Sequence, residues 1–215
     1  MREINQKGIR TLVVITLLIA ALCATAMPAS AVHDLRITDH NLDTLNSFTY
    51  SGAWYNVGAD SYLLKWYGGG QYFEPPWKAP AVYYGIITAT IMADYQGHWW
   101  GECVSMVKNL AHSTVTTSNW YRGGHVTDGG VSSGTTIARF VWSPAEGRYV
   151  YDSGHAAIFR QYTYDSYGRI NGMIVWDQNW YDNENDEGIV AMHRISKTGS
   201  GGVSDANAYY VIRVP

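Results

Sequence analysis

The sequence predicts an α+β protein: one short helix followed by a run of antiparallel strands. Three observations carry that expectation. Residues 102 to about 113 put Cys103, Val107, Leu110 and Ala111 on one face at three- and four-residue spacing. From residue 135 onward, short runs rich in Val, Ile, Tyr, Phe and Trp are separated by Gly, Asn, Asp and Ser. A helix followed by consecutive strands, rather than strands alternating with helices, implies an antiparallel sheet. The composition agrees: 17 Tyr, 9 Trp and only 15% charged residues exclude a disordered chain. With 215 residues, 47% of them hydrophobic, the chain can close one core and carry an extension.

Residues 1–31 read as an export signal. Arg2, Lys7 and Arg10 precede an apolar run over residues 11–24, and Ala29, Ser30 and Ala31 offer small residues for cleavage. The run is short for a membrane span, so the mature chain is expected outside the cytoplasm, secreted or in the envelope, without stable membrane insertion. Removing residues 1–31 takes away Arg2, Lys7, Arg10 and Glu3, which moves the formal charge from −3 to −5. A mildly acidic chain is a poor general binder of nucleic acid or anionic membrane. Cleavage also removes Cys23 and leaves Cys103 as the single thiol. Cysteines in oxidising compartments usually pair. A lone one is an intermolecular bridge, a reactive thiol or a small buried hydrophobe.

Residues 32–81 read as an irregular extension packed on the main body, because Gly and Pro punctuate "YGGGQYFEPPWKAP". Residues 82–215 carry the sharper pattern. The helix begins after Gly101, with Glu102 suited to its positive end. The strands follow as "TTIARFVW" (135–142), "RYVY" (148–151), "HAAIFRQYTY" (155–164), "GMIVWDQNW" (172–180), "GIVAMHRI" (188–195) and "AYYVIRV" (208–214).

A thiol at a helix N-terminus meets free N–H groups that favour the thiolate and an oxyanion alike. It also needs a base, and the base needs an orienting partner. His155 opens a strand just after Gly154. Asp177 and Asn179 lie two apart in the next strand, so their side chains share one face, with Trp176, Gln178 and Trp180 on the other. Paired residue numbers summing to 332 set His155 opposite Asp177, and 334 sets it opposite Asn179. Either register needs a loop centred near Asp165 to Gly168, not a tight turn at Asn171-Gly172.

"GECVSMVKNL", "GHAAIF" and "IVWDQNW", in that order, resemble the CHAP superfamily of cysteine, histidine-dependent amidohydrolases and peptidases, and the related NlpC-type enzymes. The likeness covers about residues 82–214. It implies a papain-like α+β fold with Cys at the start of a helix packed on the sheet. It implies Cys103 as nucleophile, His155 as base and then acid, Asp177 as the group that orients the imidazole, and Asn179 as further polar support. No cofactor and no metal are implied. Trp100, Glu102, Trp176 and Trp180 are the candidate substrate contacts. The substrate implied is a cell-wall peptide or peptidoglycan-like polymer, with an inhibitor or immunity protein as a further partner. Two departures stand out. Glu102 occupies the place before the Cys where the family commonly has Gln, and a carboxylate does not donate as an amide does. Asp177 replaces a longer Glu.

Bland readings stand beside these. His155 alone is a rim histidine, and Trp176 and Trp180 alone are packing residues. "DNENDEG" (182–188) misses the calcium-loop pattern and reads as a solvated loop. A non-catalytic module that holds envelope glycan or peptide on the same fold is the alternative to the enzyme.

Overall fold

The computed structural model describes residues 31–51, 54–58, 61–64, 78–83, 86–95, 99, 101–180 and 189–215. His33–Val214 form one compact unit. The expected signal segment, the Gly/Pro-rich stretch 67–77 and the acidic loop 182–188 lie outside the described residues. In chain order the elements are β1 (His33–Asp34), α1 (Asp39–Ser51), β2 (Trp54–Gly58), β3 (Ser61–Leu64), β4 (Lys78–Tyr83), β5 (Ile86–Met92), α2 (Cys103–Leu110), β6 (Tyr121–His125), β7 (Thr136–Ser143), β8 (Arg148–Tyr164), β9 (Ile170–Gln178), β10 (Val190–Ser196) and β11 (Tyr209–Val214). The architecture is α+β. Among the described residues, a nine-stranded sheet runs β1-β11-β7-β8-β9-β10-β3-β2, with β6 also on β11, and β4-β5 form a separate pair. Every pairing is antiparallel. Among the described residues no helix is long and apolar enough to cross a membrane.

Alternation along the strands sorts side chains into two cores. One face carries Ala138, Ala156, Ile158, Trp176, Val190 and Ile212, packed with Leu45 and Phe48 of α1 and Met106, Val107 and Leu110 of α2. The other carries Ile137, Ala157, Phe159, Val175, Ile195 and Tyr209.

The segment expected to be irregular holds helix α1, strands β1, β2 and β3, and the start of β4. Thr38 caps α1, its hydroxyl accepting from the Asn41 N–H at 3.2 Å. Asn41 Nδ2 then donates to the Leu110 carbonyl at 2.8 Å, and the Thr38 N–H donates to the same oxygen at 3.0 Å. One orphan carbonyl at the end of α2 is thereby satisfied by the start of α1. β3 adds to the sheet beside β10, where Met192 pairs with Tyr62. Among the described residues β2 pairs only with the adjacent β3, and β3 takes its other partner from residues more than a hundred positions away, so local pattern does not reveal this short hairpin.

The helix starts as expected and ends earlier. Glu102 has an extended backbone (φ −79°, ψ 144°), and its carbonyl accepts from the Ser105 and Met106 N–H groups. At the far end His112 adopts φ +50°. Its N–H returns to Asn109 O, and the Ser113 N–H returns to Lys108 O. This is a Schellman stop with His where Gly is usual, and the His112 ring stacks on Tyr95 at 4.8 Å.

"RYVY" and "HAAIFRQYTY" are one strand, β8, rather than two. Ala138 pairs with Ala156 but Phe140 with Tyr151, so residues 152–155 lie opposite Arg139 alone. This enlarged bulge bends the strand immediately before His155. Ser153 takes φ +57° within it. The Gly154 N–H donates to Asp152 Oδ1 at 2.8 Å, and Arg139 NH2 meets Asp152 Oδ2 at 2.9 Å. A Cβ on Gly154 would fall 2.7 Å from the Arg139 guanidinium, so the ion pair and a side chain cannot share that space.

The β8–β9 connection is the longer loop. The Asp165 N–H donates to Arg169 O and the Gly168 N–H to Asp165 O, while Asn171 and Gly172 lie inside β9. Gly172 is packed where β8, β9 and β10 meet. A Cβ there would lie 2.5 Å from the Ile195 carbonyl oxygen and 3.0 Å from Thr163 Oγ1. Backbone must move to admit it. Gly172→Ala is therefore expected to lower stability by about 1–3 kcal/mol, measured by urea unfolding; an unchanged midpoint would show that the three strands are not locked at this point.

Candidate active site

The last residues of β9 bring the separate segments together. Ile158 pairs with Trp176 and Phe159 with Val175, a register that sets Asn179, not Asp177, level with His155. Asp177 is the diagonal neighbour and reaches across: His155 Nε2 donates to Asp177 Oδ2 at 2.6 Å. On the other flank Ala191 pairs with Asp177, and His193, again diagonal, brings Nδ1 to 3.3 Å from Asp177 Oδ1. Each carboxylate oxygen thus faces one imidazole. No local sequence signal marks His193, because its partnership exists only through the β9–β10 register.

Cys103 is the first residue of α2 and faces the same cavity as His155. The thiol is 8% exposed and lines a cavity of about 680 Å³ together with His155, Tyr151, Glu102 and Asn179. Tyr151 brings its hydroxyl to 3.7 Å from Cys103 Sγ. Glu102 is exposed at the rim and its side chain does not cap the helix.

The position of α2 depends on Gln178, the neighbour of Asp177 on the opposite face. Gln178 is wholly buried. Its Nε2 donates to Met92 O and to Glu102 O, each at 2.8 Å, and its Oε1 accepts from the Met92 N–H at 2.6 Å. Gly101 N–H adds a bond to Met92 O at 3.1 Å. One side chain therefore ties the end of β5, the residue before Cys103 and β9 into one unit. Strand alternation puts Gln178 on the face away from Asp177, but a glutamine in a strand carries no signature of what it will meet.

The expected aromatic contacts divide. Trp176 is wholly buried in the helix-side core and offers no surface to a substrate. Trp180 is not on the face opposite Asp177. β9 stops at Gln178 and Asn179 takes φ +64°, which ends the strand alternation. The Trp180 ring instead lies 5.0 Å from His155 and 4.1 Å from His193, covering the buried His–Asp–His group. Trp100 and His98 lie outside the described residues. Trp99, unremarked in the sequence, stands 75% exposed at the cavity rim. Among the described residues four non-glycines have positive φ: Trp99, His112, Ser153 and Asn179. Three of them, all but His112, line this cavity. Backbone held in a costly region at one cleft is the pattern expected of a functional site. The Trp99 turn is held by a hydrogen bond from the Ser105 hydroxyl to its carbonyl.

The electrostatics favour a thiolate–imidazolium pair. Burial pushes the Cys103 thiol up, but the hydrogen bond and charge of His155, with help from the Ala156 N–H and the Tyr151 hydroxyl, outweigh it and hold the thiol below its ordinary value. Burial pulls His155 down, but the Asp177 charge and hydrogen bond, then Cys103, raise it to about 10. Burial acts to raise Asp177, and the charges of His193 and His155 lower it overall. Among the described residues no group of three or more His, Cys, Asp or Glu side chains is placed to hold a metal.

The family description "Dae2: Domesticated amidase effector 2" matches residues 80–212. A solved chain described as type 6 secretion amidase effector 2 (Tae2) is 27% identical over 53% of this chain and 81% of its own length, with a TM-score of 0.40. No relative among curated proteins matches.

Alkylation tests the electrostatics. Iodoacetamide labelling of Cys103 is expected to titrate below the ordinary thiol value in the wild type. In His155→Ala, burial acts without its main opponent, and the midpoint should rise above that value. A midpoint unmoved by the substitution would mean that His155 does not set the thiolate.

Proposed function

The chain belongs to the domesticated amidase effector 2 family, and from that premise we propose that it is an exported, papain-like cysteine amidase that hydrolyses amide bonds in cell-wall peptide cross-links. The observation that carries the proposal is a single arrangement: a thiol at a helix start that lines one cavity with His155, whose Nε2 is 2.6 Å from the buried Asp177 carboxylate. The CHAP-like order of motifs, with Cys on a helix and His and the acid on adjacent antiparallel strands, supports the same reading. The signal-like residues 1–31 suit an enzyme whose polymer lies outside the cytoplasm.

Cys103 attacks the scissile carbonyl as thiolate. The adduct collapses as the His155 imidazolium protonates the departing amine, leaving a thioester on Cys103. His155, now neutral, takes a proton from water, and the hydroxide displaces the thiolate. Asp177 holds the imidazole by Nε2 and leaves Nδ1 for the thiol and substrate. Asn179 and Glu102 face the incoming chain from the cavity rim, and Trp180 shields the imidazole–carboxylate bond from water. Amide hydrolysis in the producing cell's own wall would harm that cell, so a protein inhibitor of the immunity type is the expected partner in organisms that make the enzyme against others.

Purified wild type incubated with isolated peptidoglycan should release peptide fragments identifiable by mass spectrometry, and Cys103→Ala should release none. Equal release by both proteins would remove the mechanism. The pH profile has a defined sign. kcat/KM rises as the thiol ionises below its ordinary value and falls near pH 10 as His155 loses the proton that the leaving amine requires. Asp177→Asn removes the charge that raises His155, so the alkaline limb should move to lower pH; a limb that stays in place assigns it to another group.

A further inference from the structure

Amide hydrolysis at Cys103 moves negative charge from sulfur to the carbonyl oxygen, and that oxygen needs donors. The Cys103 N–H at the start of α2 is one. The residue before the nucleophile is Glu102, whose carboxylate offers no N–H. The cavity contains another donor close to the sulfur. Tyr151 lies on β8 just before the bulge, four residues ahead of His155, and its hydroxyl is 3.7 Å from Cys103 Sγ. We infer that the Tyr151 hydroxyl is a catalytic residue: the side-chain donor to the oxyanion formed during attack by Cys103.

The geometry allows it. In a tetrahedral adduct the oxyanion lies roughly 2.7 Å from the sulfur, and an effective donor stands about 2.7–3.1 Å from the oxyanion. Laid end to end, those two distances exceed the sulfur–hydroxyl separation, so an oxygen can sit within reach of both. The ring is held in place. It meets the wholly buried Trp120 edge-on at 5.3 Å, and the bulge at 152–155 fixes the backbone that follows it. The hydroxyl also stays protonated. Burial, then the charge and hydrogen bond of Cys103, push its ionisation far above the ordinary phenol range, so it donates at every pH at which the thiolate exists.

The step balances. The thiolate pair forms the S–C bond, and the carbonyl π pair moves onto oxygen. The Tyr151 O–H, which faces sulfur in the resting pair, turns its hydrogen bond to that oxygen and keeps its proton. Collapse restores the C=O bond and expels the leaving group with its electron pair. In amide hydrolysis the amine takes its proton from His155. A donor that follows the charge from sulfur to oxygen lowers the barrier because it is stronger in the transition state than in the ground state.

The inference rests on the proposed thiol mechanism, and the test separates the two. An activated acyl donor, p-nitrophenyl acetate, builds an oxyanion on the way to acyl-Cys103. Iodoacetamide alkylates the same sulfur by displacement and builds none. Both pre-steady-state rates are measured in wild type and Tyr151→Phe, at a pH above each protein's alkylation midpoint so that thiolate is complete in both. The expected result is a fall of roughly 10- to 100-fold in acylation, with alkylation within about 3-fold of wild type. Retained alkylation also shows that the folded site survives the substitution. Equal changes in both rates, including no change in either, overturn the inference: the hydroxyl then serves the thiol or the packing alone. A differential loss in Asn179→Ala that is missing from Tyr151→Phe overturns it too, by giving the donor role to Asn179. A nitrophenolate burst undiminished in Cys103→Ala sinks something else, the reading of Cys103 as nucleophile.

Discussion

Two adjacent side chains at the end of β9 hold the two halves of the site in register. Asp177 and Gln178 point to opposite faces because strand residues alternate. On one face Asp177 takes His155 by Nε2 and stands beside His193. On the other, Gln178 takes the Met92 backbone and the Glu102 carbonyl, and so fixes the chain that leads into the Cys103 helix. The nucleophile and the imidazole belong to segments about fifty residues apart. Their relative position is set by one dipeptide whose neighbours, Trp176 on one side and the left-handed Asn179 on the other, anchor and end the strand.

The energetics of this cluster run against ordinary core packing. A carboxylate, two imidazoles and a thiol are withdrawn from water, and burial alone would neutralise them. Mutual pairing reverses that tendency: His155 is raised to about 10 and Cys103 is lowered despite its burial. Trp180 closes over both histidine rings, which excludes water and strengthens every charge interaction beneath it. At the cavity mouth the cost is conformational, with Trp99, Ser153 and Asn179 all in the left-handed region. Cluster and strained rim face the same space, as expected where geometry is held for chemistry rather than for stability.

Legibility followed the range of the interactions. The start of α2, strands β7, β9, β10 and β11, and the long β8–β9 loop were readable because their signals are local: apolar spacing, β-branched runs and turn residues. The joining of "RYVY" to "HAAIFRQYTY" was not, since the bulge at 152–155 depends on Arg139 of another strand filling the space beside Gly154. Helix α1 and strands β2 and β3 escaped because composition around them is broken by Gly and Pro, while α1 takes support from Leu110 and β3, which carries β2, takes it from β10. Strand alternation predicts Trp180 opposite Asp177 and fails there because β9 stops two residues before it.

Residue type and short spacing alone fix the α+β class, a thiol at a helix start, and the order of Cys103, His155 and Asp177 along the chain. Four contacts exist only in the folded sheet: Asp177 meets His155 diagonally, His193 flanks the same carboxylate, Gln178 seats the helix and Tyr151 faces the sulfur. Each of those contacts depends on which residue of one strand lies beside which residue of the next, and strand register is set by packing across the whole sheet rather than by any one segment.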